Sequence, residues 1–332
     1  MAKLFLFVQL PPFTRRGILR WSWLLSLFCL EPCLAEEPAA KVDGEPIQVS
    51  EVEREIAIAY GNRRIASGAH EFLRATTLEQ LIKRRLVLRW LSETKQAARS
   101  DEVELARRQL QTSLTGLGQT LEQYLIQQQL DEAGLKRSLA WQIGWQRYID
   151  KQLNDKNLER YFEQHRRDFD GTEMHVAHIL FKVDKAEDSE SIEAARGRAR
   201  QLLAQIQAGK ISFAEAARAH SASASREQGG DIGWITRREP MPESFSRAAF
   251  ALERLQVSDP AETAFGIHLI QCLDIKPGQK KLSDVRPEIE QAVMLYLFDW
   301  AADQVRSQIR IEYTAGFPHF LSGTETLDRP SK

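Results

Sequence analysis

His178-Ile179-Leu180, Gly229-Gly230-Asp231-Ile232-Gly233-Trp234 and Phe265-Gly266-Ile267-His268 stand in that order within the stretch from Met174 to Ile275. Around them the hydrophobic period changes repeatedly. Glu173 to Lys182 reads as a strand, and Ile192, Ala195, Ala199, Leu202, Leu203 and Ile206 recur at helical spacing. Ser212 with Glu215 forms a capping box before a short helix around Phe213. After the glycine turn, Ile232 to Ile235 reads as a strand, the surroundings of Phe245 and Phe250 as a helix, and Ile267 to Ile275 as a closing strand. The order β-α-α-β-α-β-β predicts an α+β module. Gly229, Gly230 and Gly233 are backbone turn positions; no strand-to-helix context follows that would make them a phosphate cradle.

These three signatures, in this order and spacing, resemble the parvulin family of peptidyl-prolyl cis-trans isomerases. The resemblance implies a four-stranded, antiparallel-rich sheet with surrounding helices. It implies that His178 and His268 are the paired histidines of the site floor and that Thr263 is the hydroxyl residue joined to them. It makes Ile232, Met241 and Phe245 the apolar wall that holds a proline ring, with Met241 and Phe245 spaced to share one helical face. The position that carries cysteine or aspartate in many parvulins falls on Ser223, within His220-Ser221-Ala222-Ser223-Ala224-Ser225. Serine supplies a polar atom without negative charge.

Rotation about an X-Pro bond breaks amide conjugation against a barrier of about 18–20 kcal/mol, but makes and cuts no covalent bond. A site can therefore act by gripping the ring and favouring the twisted amide, each ~1.36 kcal/mol of preference giving roughly tenfold in rate. No cofactor is expected. His175 and His178 form an H-x-x-H pair, yet an odd offset on a strand sends the rings to opposite faces, so no metal is expected. Ser221 or Ser223 with His220 lacks the oriented acid and nucleophile elbow of a hydrolase. The stretch from Lys182 to Glu190 is net acidic, which predicts no preference for phosphorylated Ser-Pro.

Outward from the module the pattern is helical. Val42-Asp43-Gly44-Glu45-Pro46-Ile47 sets apolar residues around a turn before a helix-like run from Val49, and resembles a segment of exported SurA and PrsA type chaperones. A capping box of Thr76 and Glu79 predicts a helix start ahead of Leu78, Leu81, Ile82 and Leu86; Thr120 with Gln123 predicts another. Gly116 and Gly118 break the run, and Leu135, Leu139, Ile143 and Ile149 continue it. Trp90, Trp141, Trp145, Tyr148, Tyr161 and Phe162 are expected in a core, with an apolar groove as their alternative use. Beyond the module, Val285, Ile289, Val293, Leu297, Ala301, Val305 and Ile309 recur every fourth residue, widened by Ala292, Tyr296 and Trp300. The resemblance implies that this helix packs with the amino-terminal helices. The expected division is 1–35 signal peptide, 36–165 helical chaperone-like domain, 172–276 isomerase domain, 282–313 carboxyl-terminal helix and 314–332 flexible tail.

The signal reading rests on Lys3, Arg15, Arg16 and Arg20 before the apolar run Trp21 to Leu30, with Cys33-Leu34-Ala35 offering small residues for cleavage. That run is far short of the roughly 20 apolar residues of a membrane span. Arg15-Arg16 leaves the export route open between the general and twin-arginine pathways. Cleavage moves the net charge from −1 to about −4, too acidic for a nucleic-acid partner. It also leaves Cys272 as a lone cysteine, read as buried filler. A length of 332 residues, 43% hydrophobic and 27% charged, excludes collagen, disorder and a membrane bundle. The chain is expected to be a parvulin domain inserted in an all-α chaperone-like domain, exported to the periplasm or cell envelope. It would isomerise X-Pro bonds of newly exported, unfolded polypeptides; the alternative is a non-catalytic holdase.

Overall fold

The computed structural model describes residues 38–61, 67–183, 189–321 and 327–328. The expected signal segment and residues 184–188 of the acidic loop lie outside the described residues. Among the described residues no helix is long and apolar enough to cross a membrane. The chain divides into two compact units, residues 1–152 with 294–332, and 153–293.

In the first unit, β1 (Pro38–Val42) and β2 (Glu45–Gln48) form a hairpin. Asp43 and Gly44 turn it with φ of 53° and 80°, the two left-handed residues that a tight hairpin turn requires. Then follow α1 (Val49–Tyr60), α2 (Ser67–Glu93), α3 (Ser100–Gly116), α4 (Leu121–Gln127) and α5 (Glu132–Gln152). The box at Thr120 and Gln123 caps α4. The one expected at Thr76 does not start a helix: α2 already runs from Ser67, and the Thr76 hydroxyl donates to the Phe72 carbonyl one turn back. Leu110, Leu114, Tyr124, Leu135 and Leu139 form one core. Trp141 stacks on Trp145 at 5.3 Å, and both meet Phe298 edge-on at 5.8 Å, while Trp90 packs against Tyr148. These rings are consumed in the core. Phe298 belongs to α11 (Leu282–Arg306), whose later residues join this unit through Lys83–Asp299 and Arg306–Glu79 ion pairs.

This unit also holds strand structure that the helical pattern does not announce. The short strand Ile311–Tyr313 pairs with β1, giving the order β2–β1–Ile311–Tyr313. In the segment expected to be loose, the Thr314 N–H donates to Ala39, Phe317 is buried, and His319–Phe320 pairs with Leu327–Asp328.

The second unit opens with α6 (Asp155–Gln164) and α7 (Arg166–Phe169). Then come β3 (Glu173–Lys182), α8 (Ser189–Gln207), α9 (Phe213–His220), a 3-10 turn (Ala224–Gln228), β4 (Asp231–Thr236), α10 (Glu243–Phe250), β5 (Ala261–Thr263) and β6 (Gly266–Lys276). The sheet order is β4-β3-β6-β5, antiparallel throughout. Because β3 and β6 are interior and covered on both sides, their alternate residues feed two cores. Ala177, Ile179, Phe181, Ile267 and Leu269 pack under α8 and α9. Met174, Val176, Ile270 and Cys272 pack with Phe245, Ala249 and Phe250 of α10. The fold is α+β with a helical partner unit.

Candidate active site

Period 2 along β3 and β6 sends His178 and His268 to the α10 face, where neither is more than 6% exposed. Their pairing partners across the ladder are Ile270 and Leu180, so the two imidazoles sit diagonally and stack, with centroids 5.3 Å apart and planes at 15°. His178 Nδ1 lies 3.1 Å from His268 Nδ1. On the outer side of each ring stands a hydroxyl: Ser223 Oγ 2.7 Å from His178 Nε2, and Thr263 Oγ1 2.9 Å from His268 Nε2. The sequence-predicted residues His178, His268, Ser223 and Thr263 therefore form one line of hydrogen bonds.

Backbone geometry holds the line in place. The His178 N–H donates to the Gly230 carbonyl at 2.8 Å, and a Cβ on Gly230 would come within 2.5 Å of the His178 oxygen. Gly230 also has φ of 87°, so both the approach and the conformation call for glycine. Gly266 plays the same part at the other end, since a Cβ there would meet the Phe181 carbonyl at 2.3 Å.

A bond between two Nδ1 atoms requires one nitrogen to donate and the other to accept. When His178 donates, His268 Nε2–H donates to Thr263 and Ser223 donates to His178. When His268 donates, Thr263 donates to His268 and His178 Nε2–H donates to Ser223. Both arrangements satisfy every ring nitrogen with the pair uncharged. Burial lowers the pKa of His178, and burial followed by repulsion from His178 brings His268 down to about 4. The line is neutral at neutral pH.

Phe245 meets both imidazoles edge-on, at 5.6 and 5.4 Å, and has no exposed surface. The expectation that it lines an open wall is corrected: its position on the sheet-facing side of α10 makes it the backing of the histidines, out of reach of a ligand. Met241 and Ile232 pack against the same core and are only partly buried, so they are the apolar surface available there. His175 turns to Asp231 at 2.8 Å, away from His178. A shallow groove of about 810 Å³ along Ile206, Ile211, Phe213, Leu255 and Val257 contains none of these side chains.

Two further serines join the line of hydrogen bonds: Ser221, weighed in the sequence only as a hydrolase nucleophile, and Ser225, given no role there. Ser221 Oγ accepts from the N–H groups of Leu180 and Ser223, both at 3.1 Å, and Ser225 Oγ lies 3.1 Å from Ser223 Oγ. Their signal was the alternation Ser221-Ala222-Ser223-Ala224-Ser225, which places three hydroxyls two residues apart.

Residues 178–274 match the family model described as the PPIC-type PPIASE domain, a rotamase. This segment is a parvulin-type domain. The chain is 26% identical over 247 residues to chaperone SurA of Chromohalobacter salexigens, covering 70% of this chain and 53% of that protein. It is 27% identical over 184 residues to the putative peptidyl-prolyl cis-trans isomerase NifM of Azotobacter vinelandii, covering 53% and 63%. Over 121 residues it is 40% identical to chaperone SurA of Burkholderia thailandensis, covering 36% and 26%. The chain thus spans less than two thirds of each relative. The solved structure of PrsA from Bacillus anthracis, 19% identical, covers 70% of this chain and 96% of its own at a TM-score of 0.33, too slight a likeness to argue from.

Proposed function

We propose that the second unit is a peptidyl-prolyl cis-trans isomerase acting on unfolded, proline-containing polypeptides, and that the helical unit holds such chains. The observation that carries this reading is the uncharged Ser223–His178–His268–Thr263 line beside the partly exposed Met241 and Ile232. A planar amide is more polar than a twisted one, because conjugation places negative charge on oxygen and positive charge on nitrogen. Moving it from water to an apolar, uncharged site therefore raises the planar form more than the twisted one. Met241 and Ile232 grip the ring. Ser223 and the imidazoles offer hydrogen bonds that exchange donor and acceptor roles without creating charge.

The likeness to SurA supports the chaperone part, as do Leu117 and Ile126, 58% and 70% exposed near the end of α3 and in α4. Export to the cell envelope rests on the basic and apolar pattern from Lys3 to Ala35. Signal cleavage near residue 35 and an isomerase domain over 172–276 are part of this proposal.

Proline-peptide isomerisation kinetics on the full chain and on His178→Ala test it. Wild type is expected to accelerate the reaction, and the variant to lose about 100-fold of kcat/KM through the broken line. A wild type with no activity that still suppresses aggregation of an unfolded protein would establish the holdase instead.

A further inference from the structure

We propose that Ser221 is a positioning residue that holds Ser223 against His178. The inference rests on the reading of His178 and Ser223 as parts of the site. Its origin is a gap in the sheet. The β4 side of β3 is paired through Ala177 with Asp231, and the last bond there runs from the His178 N–H to Gly230. Two residues further along β3, the N–H and carbonyl of Leu180 point at the same side, where no strand among the described residues stands opposite. The segment 221–223 takes that place. The Ala222 N–H donates to the Leu180 carbonyl at 2.8 Å, and the Leu180 N–H donates to the hydroxyl oxygen of Ser221 at 3.1 Å. A side-chain oxygen thus stands where a neighbouring strand would present a carbonyl.

The same oxygen also accepts the Ser223 N–H at 3.1 Å. Ser221 is 4% exposed, so water does not easily replace it. One hydroxyl therefore ties the backbone that carries Ser223 to the strand that carries His178, two residues from the imidazole. The distance so fixed is the 2.7 Å bond from Ser223 Oγ to His178 Nε2. Ala222 and Ala224 point outward between these serines and are exposed, which accounts for the alternation in the sequence. Removing the oxygen frees two N–H groups at once and lets Ser223 drift, and a small displacement beside a reacting group is costly to rate.

The test combines imidazole ¹⁵N spectra with kinetics on the full chain, for wild type, Ser221→Ala, Ser223→Ala, the double variant and Ser221→Thr. In S221A the His178 Nε2 resonance is expected to move in the direction it moves in S223A. The kcat is expected to fall about tenfold with KM held within about twofold. S221T, which keeps the oxygen, is expected to restore both. In an S223A background, adding S221A is expected to leave kcat unchanged, because the residue acts only through Ser223. An unmoved His178 resonance in S221A, or losses that multiply in the double variant, would overturn the proposal. If S221A does not fold, Ser221→Cys, similar in size and a poor acceptor, carries the same expectations. An inactive wild type would sink the isomerase reading, while the spectra would still decide whether Ser221 positions Ser223.

Discussion

The two faces of the β4-β3-β6-β5 sheet are built from the same two strands, one residue out of step, and they do different work. Under α8 and α9 the strands present Ala177, Ile179, Phe181, Ile267 and Leu269 to an apolar core. Under α10 they present Met174, Val176, Ile270 and Cys272, and the rhythm is broken by His178 and His268. Hydrophobic burial fixes the first face outright. On the second, two polar rings are buried at a cost that their mutual bond and two hydroxyls help to offset. Apolar packing is concentrated on one face and buried polar groups on the other.

The sharpest way to break that comparison is to damage the apolar face. Leu269 is fully buried there, so Leu269→Ala is expected to cost about 2–5 kcal/mol through lost transfer energy and a residual cavity. Urea unfolding measures the loss. Isomerase kcat per folded molecule is expected to stay near wild type; a collapse of kcat in folded protein would mean that the faces are not independent.

Acid probes the other face. The ring of His268 takes its proton near pH 4 when folded and near 6.5 when unfolded, so between these values the unfolded chain binds more protons. Stability therefore rises with pH across that window and is lost as pH falls through it. Relative to His268→Gln, which cannot titrate, wild type is expected to lose about 3 kcal/mol on going from pH 6.5 to about 4. Parallel stability curves for the two proteins would show that the ring is not held neutral by burial.

Much of this contrast was legible in the chain, because alternation along β3 and β6 is a local pattern and the glycine turn names its own backbone geometry. What stayed hidden depends on distance or on accessibility. Asp43-Gly44 marks a turn, but nothing local announces the two strands beside it or pairs β1 with three residues at Ile311–Tyr313. Thr76 and Glu79 mimic a helix start, although the residues before them, from Ser67, are equally helical. The stripe of fourth residues is buried at Val285, Ile289, Val293, Ala301 and Val305, with Phe298 beside it, but Tyr296 and Trp300, expected to widen it, are exposed. Helical spacing suggested one shared face for Met241 and Phe245, but α10 begins only at Glu243, so Met241 precedes the helix and the pattern could not tell which of the two is exposed. The serine alternation gave the side of the chain, not the Leu180 N–H that makes Ser221 necessary.

The difference between Met241 and Phe245 offers a finer cut. Met241 is reachable and Phe245 is not, so Met241→Ala is expected to weaken ring binding and raise KM about tenfold with a smaller change in kcat. Peptide kinetics with a saturating concentration series separate the two. A variant with wild-type KM would remove Met241 from the substrate surface.

The smallest expected effect concerns charge. Ser223→Asp places a carboxylate where a hydroxyl now lies 2.7 Å from His178 Nε2. The negative group favours the imidazolium and so raises the His178 pKa, opposing the lowering that burial now imposes. If catalysis comes from an uncharged line of hydrogen bonds, kcat/KM well above that pKa changes by less than about threefold, since either group accepts from the ring. The pH profile, by contrast, gains a limb where His178 titrates, because protonation there gives both ring nitrogens hydrogens and ends the exchange of roles with His268. Rates for the two proteins across a pH series from acid to mildly basic read both quantities at once. An increase of about an order of magnitude at high pH would mean that a fixed negative charge beside the amide contributes a component the serine site lacks. In that case the neutrality of the α10 face would be a limit on turnover, and the line from Ser223 to Thr263 would serve mainly to hold the histidines in place.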